Sequence, residues 1–168
     1  MTKIGRKGFM LAEVVVISVV VATVLVTLYI GLNSIASAYD IRNRYYDVDC
    51  LYAAIEVNDV LLRNDPSTIQ TVDAIDLSTN VDVNSFENFY EDETAVNDII
   101  NLYLTPYDKN KMLSIKDFEN INVTFEEYLD YLSGNLNFDD DYDYMIIVER
   151  MDNGDPDDCY YYALKLKY

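Results

Sequence analysis

The stretch GFMLAEVVVISVVVATVLVTLYIGLNSIASAY, residues 8–39, decides the architecture. Glu13 is its one charged residue, and residues 14–39 carry none. Phe9–Leu32 alone is 24 residues; at about 1.5 Å per residue such a helix is roughly 36 Å long, more than the ~30 Å of a bilayer's hydrocarbon core. Its valines and isoleucines are mediocre helix formers in water. In lipid no water satisfies a free N–H or C=O, so a single apolar span has to be helical. Lys3, Arg6 and Lys7 precede the span with no acid among residues 1–8. Bases on that side keep the amino terminus cytoplasmic and send the rest of the chain across.

Two simpler readings compete. A secretory signal peptide fits badly, because the apolar run is long and no small-x-small cleavage pattern leads into a polar mature start. A plain single-pass anchor leaves Glu13 unexplained. A carboxylate inside an apolar span costs about 2–3 kcal/mol when placed centrally, and such groups persist where they have a partner.

Gly8-Phe9-Met10-Leu11-Ala12-Glu13, after a short basic leader and before an uninterrupted apolar helix, resembles the processing signal of type IV prepilins and pseudopilins. The resemblance covers about the first forty residues. It implies that a prepilin peptidase cuts between Gly8 and Phe9 and methylates the new amino group of Phe9. It also implies that the acid at Glu13 pairs with the amino terminus of a neighbouring subunit and sets assembly register. An ammonium at Phe9 and a carboxylate at Glu13, both in low dielectric, would each lower the other's burial penalty. Many major pilins carry a proline partway along this helix; here none occurs before Pro66, and Gly31 is the only nearby breaker.

The resulting expectation is a leader (1–8), a transmembrane helix (9–32), an extracellular continuation of that helix (33–65) and an exported acidic α+β domain (66–168). The fold class expected is α+β and pilin-like: a long amino-terminal helix packed on a small antiparallel sheet. Localisation follows as single-pass in the cytoplasmic membrane, with a cell-surface or periplasmic filament after assembly.

Charge supports the division. The formal net charge is −18, and from Asp40 onward 29 acids face nine bases. So acidic a domain repels phosphate backbones, and no direct nucleic-acid binding is expected. The absence of histidine removes the commonest general base and metal ligand. No nucleophile–base pair, phosphate-binding glycine loop or zinc spacing occurs, so no catalytic residue and no cofactor are expected. Acid pairs such as Glu126 with Glu127 and Glu91 with Glu93 read as helix starts and solvated charge.

Beyond the span, residues 33–63 keep helical composition until Asn64-Asp65-Pro66. At 100° per residue, Ile35, Tyr39, Tyr46, Cys50, Ala53, Val57 and Leu61 share one face; Ile41, Val48, Leu51, Tyr52, Ile55 and Leu62 share the opposite one. Two apolar faces mean two packing partners, and the first is expected to cover the domain. Further on, Thr68–Leu77 reads as a strand and Asp92–Leu104 as a helix. Ser114–Glu119 reads as a short helical turn, and Thr124-x-x-Glu127 as a capping box opening a helix that stops at Gly134. Tyr142–Met151 and Cys159–Lys167 read as a hairpin joined by the turn-rich residues 152–158. Tyr160, Tyr162, Leu164 and Leu166 alternate with Lys165 and Lys167, which predicts a half-buried sheet.

Two candidate sites remain open. Asp152, Asp155 and Asp157 form a weak calcium candidate, against the ordinary use of Asp and Gly in a hairpin loop. The cluster Asp139-Asp140-Asp141-Tyr142-Asp143 lacks the glycine and later glutamate of an EF-hand. Cys50 and Cys159 allow one disulfide, although Cys159 shares the parity of the outward lysines. The expected function is a filament subunit (pilin, minor pilin or pseudopilin) whose partners are the prepilin peptidase, other subunits and the membrane. The alternative is a membrane-anchored extracellular binding domain that never polymerises.

Overall fold

The structure is a computed structural model and describes residues 5–64, 66–77, 99–119, 121–152 and 155–168. Helix α1 (Gly5–Tyr45) is followed by α2 (Val48–Asn64) and a 3-10 turn (Thr68–Gln70). Then come β1 (Ile75–Asp76), β2 (Ile99–Pro106), α3 (Lys109–Leu113), a second 3-10 turn (Ser114–Asp117), α4 (Val123–Asn135), β3 (Tyr144–Asp152) and β4 (Asp155–Leu166). The chain divides into two compact units, residues 1–42 and 43–168.

The first unit is helix. It is apolar on all sides, and its large side chains from Val14 to Tyr39 are half or more exposed. The second unit is α+β: four antiparallel strands in the order β1-β2-β3-β4. Successive side chains of a strand point to opposite faces, and each face is covered here. Leu102, Leu104, Tyr144, Ile146 and Val148 pack with Cys50, Ala53, Ala54, Val57 and Leu61 of α2. Tyr103, Met145, Ile147, Cys159 and Tyr161 pack on the other side with Phe125, Tyr128, Leu129 and Leu132 of α4, and with Met112 and Ile115. The α4 residues fall at i, i+3, i+4 and i+7, a single helical stripe.

The sheet is therefore buried on both faces, not on one. Tyr160, Tyr162, Leu164 and Leu166 do share the α2 side, but α4 takes the side assigned to solvent. The stretch Ile99–Leu104 belongs to a strand and not to the helix expected over Asp92–Leu104; the earlier part of that stretch lies outside the described residues. A strand buried on both faces loses its alternation, and the run IINLYL then has no period to tell it from helix. Thr68–Leu77 supplies a 3-10 turn and only two strand residues.

Local signals shifted by a residue or two elsewhere. Asn122, not Thr124, caps α4: its Oδ1 accepts from the Phe125 amide at 2.7 Å, and the Thr124 hydroxyl donates to that same oxygen at 2.8 Å. The helix ends at Asn135, one residue past Gly134. The turn at Ser114–Asp117 is as expected. Asp152 pairs with Asp155, so Asp155–Asp158 are strand residues and not part of a seven-residue loop.

One difference bears on function. The helix expected through residues 33–63 is interrupted: α1 ends at Tyr45 and α2 begins at Val48. Neither glycine nor proline stands near residues 46 and 47, and the cause is tertiary, as described next.

Candidate functional site

The signature residues sit at the start of α1. The backbone of Gly8 and Phe9 is helical, their side chains lie outside the described residues, and Glu13 is exposed. Farther along, the hydroxyls of Ser18, Thr23 and Thr27 donate to the carbonyls of Val14, Val19 and Thr23 at 2.7, 2.8 and 2.8 Å. These three hydroxyls are thus satisfied inside their own helix, which suits a span without water. The helix is long and apolar enough to cross a membrane.

In α2 the two apolar faces separate as expected. Cys50, Ala53, Val57 and Leu61 are buried on the sheet. On the opposite face Val48, Tyr52, Ile55 and Leu62 are 57, 58, 47 and 43% exposed, while Leu51 is part-buried. Those four side chains stand exposed among the described residues of this chain. Tyr46, expected on the covered face, is exposed; its hydroxyl shares a hydrogen bond of 3.2 Å with that of Tyr131. The neighbouring Tyr45 ring packs between Tyr128 and Tyr131, with centroids 4.9 and 4.7 Å away.

Asp47 occupies the interruption. Its Oδ1 accepts from the Cys50 amide at 2.9 Å, capping α2, and its own amide donates to the Tyr161 carbonyl at 3.2 Å. Arg150 of β3 reaches both carboxylate oxygens, Nε to Oδ1 at 3.3 Å and Nη2 to Oδ2 at 3.1 Å. Both side chains are 14% exposed. Burial by itself lowers the Arg150 guanidinium's pKa; the Asp47 carboxylate outweighs that and holds it above its ordinary value. The guanidinium also lies over the Tyr160 ring, 4.8 Å from its centroid. Nothing in the sequence around Asp47 announces this role, because the partner stands 103 residues away.

A second buried carboxylate joins the layers. Glu149, fully buried, accepts from Asn101 Nδ2 at 2.6 Å and from Asn122 Nδ2 at 2.9 Å. Through Asn122 it holds the start of α4 against β2 and β3.

The remaining candidates resolve as follows. Cys50 and Cys159 are both buried and unbridged, and they lie on opposite faces of the sheet. A disulfide needs Cβ atoms that point toward each other, and the alternation of β4 turns Cys159 away from α2. For the calcium candidate, the backbone of Asp152, Asp155 and Asp157 belongs to β3 and β4, while their side chains lie outside the described residues. In the other acidic cluster three of the four carboxylates have partners. Asp140 accepts from Asn137, Asp141 pairs with Lys167, and Asp143 accepts from the Tyr168 amide. No group of acids or cysteines suited to a metal ion occurs among the described residues. Glu126 and Glu127 are exposed in the first turns of α4; Glu91 and Glu93 lie outside the described residues.

Compared with protein-family models, curated proteins and solved structures, the chain matches none.

Proposed function

We propose that this chain is a subunit of a type IV pilus or related pseudopilus filament, cut by a prepilin peptidase after Gly8, methylated at Phe9, and assembled through its helices. The observation that carries the proposal is the uncovered apolar face of α2, Val48, Tyr52, Ile55 and Leu62. An isolated membrane anchor needs apolar residues only as far as the lipid reaches. Here apolar surface recurs after Arg42 and Arg44, the first bases beyond the span, on the α2 side turned from the sheet. Large exposed apolar surfaces on a stable domain mark contact sites, and such a face on α2 suits neighbouring subunits that present the same helix. In that assembly the Phe9 ammonium and the Glu13 carboxylate of adjacent subunits neutralise each other in lipid and fix the axial step.

The test is processing followed by incorporation. Mass spectrometry of the mature chain is expected to show the loss of residues 1–8 and one methyl group, and a bulky substitution at Gly8 is expected to abolish both. Glu13→Ala chains are expected to be processed yet missing from filaments on immunolabelled electron micrographs. An uncut wild-type chain in a host that carries the peptidase would sink the proposal.

A further inference from the structure

The interruption between α1 and α2 has an unusual origin. Helices break sharply at proline, at glycine–serine pairs, or where another group inserts into the hydrogen-bond ladder. Residues 43–50 read Asn-Arg-Tyr-Tyr-Asp-Val-Asp-Cys, without glycine or proline. Nothing in that local sequence forbids a helix; the competing contacts are a local cap by the Asp47 side chain and bonds from Tyr161 and Arg150 of the sheet.

Two sets of hydrogen bonds exclude one another at this point. In an unbroken helix each amide donates to the carbonyl four residues back, so Asp47 N–H would donate to Asn43 and Cys50 N–H to Tyr46. Instead Asp47 N–H donates to Tyr161 of β4, and Cys50 N–H donates to the Asp47 carboxylate. The Leu51 amide donates to the Asp47 carbonyl at 3.1 Å, which is the helical bond and is common to both arrangements. Residues 46 and 47 thus sit at a choice between a helical ladder and a sheet-bound cap. Arg150 biases the choice, because it engages both Asp47 oxygens only while that side chain turns back over the start of α2.

We infer that Asp47 and Arg150 form a latch that holds the helix open at residues 46 and 47, and that releasing it lets α1 run into α2 as one helix. The latch is a conformational device of the fold, and it operates whether or not the chain enters a filament. The charged side chain nearest the pair is Asp49, whose Oδ2 is 3.7 Å from Arg150 Nη2, and the guanidinium also lies over the neutral Tyr160 ring. Asp49 is exposed and lies within α2, so it can follow Arg150 but cannot cap the helix in place of Asp47.

The experiment reads the backbone at the interruption in the full chain, held in detergent micelles, by carbon chemical shifts and amide exchange. In the wild type, residues 46 and 47 are expected to show non-helical Cα shifts. In Asp47→Ala both are expected to move to helical values, with exchange at the residue 47 amide slowed at least tenfold. Asp47→Ala leaves Arg150 buried without its partner, a change that can unfold a domain. The double variant Asp47→Ala, Arg150→Met removes that stranded charge and is expected to give the same helical shifts. Asp47→Asn keeps an oxygen for the Cys50 amide and is expected to stay non-helical at residues 46 and 47. Non-helical shifts at both residues in a folded Asp47→Ala chain, or in the folded double variant, would overturn the inference.

Discussion

Helices α1 and α2 follow each other in the chain yet solve different problems. Along α1, apolar residues occur on every side and the large ones from Val14 to Tyr39 are exposed; α2 has one face at zero to 1% exposure and most of the opposite face near half. Both are rich in aliphatic side chains, so hydrophobicity alone does not set their fates. What differs is the solvent each answers to: α1 needs an apolar medium all round, whereas α2 needs the sheet on one side and something else on the other. A helix that is apolar all round belongs in lipid or in the core of an assembly.

Truncation to alanine should therefore act differently in the two units. Phe125→Ala, in the fully buried layer under α4, is expected to cost about 3–5 kcal/mol of domain stability. Val20→Ala on exposed α1 is expected to leave the domain's unfolding midpoint unchanged. Denaturant titrations followed by tyrosine circular dichroism check both, and equal losses would erase the distinction.

The next largest effect lies at Glu149. Glu149→Ala strands the amides of Asn101 and Asn122, and a cost of about 2–4 kcal/mol is expected in the same titration. Within α2, Ile55→Asp on the uncovered face should change stability by less than about 0.5 kcal/mol while removing the chain from filaments. Loss of folding in Ile55→Asp would mean that this face is covered within the domain after all.

The smallest effect is on alkaline stability. Tyr131 has its phenol held up to about 12, by the hydrogen bond shared with Tyr46 first and by burial second, against about 10 in an unfolded chain. A raised folded-state pKa favours the protonated form. The contribution is complete below about pH 10 and is lost as the pH rises through about 12. Tyr46→Phe should move the phenolate titration of Tyr131 down toward pH 10, as read by ultraviolet difference absorbance. An unchanged titration would show that the shared hydrogen bond has no part in it.

Much of this was legible in the sequence, for identifiable reasons. The span is uncharged over residues 14–39 and the hairpin alternates Tyr160-x-Tyr162-x-Leu164, so each carries its own period. The covered face of α2 was readable because Cys50, Ala53, Val57 and Leu61 repeat at helical spacing. Three things were not. Burial of β2 on both faces erased the alternation that marks a strand. The Asx cap of α4 at Asn122 lay two residues ahead of a more familiar Thr-x-x-Glu pattern. The break at Asp47 depends on Arg150 and Tyr161, more than a hundred residues away, and local propensity records nothing of either.

The two unbridged cysteines give the molecule a pair of built-in clocks. A thiol reacts as its thiolate. Burial, with Glu149 nearby, pushes Cys159 up to about 11, and burial first and Asp47 second push Cys50 higher still. At neutral pH roughly one Cys159 in ten thousand is then ionised, and neither sulfur meets solvent while its layer is closed. Alkylation of Cys50 therefore times how often α2 lifts from the sheet, and alkylation of Cys159 times the same for α4. One chain so reports, residue by residue, which of its two coats loosens first.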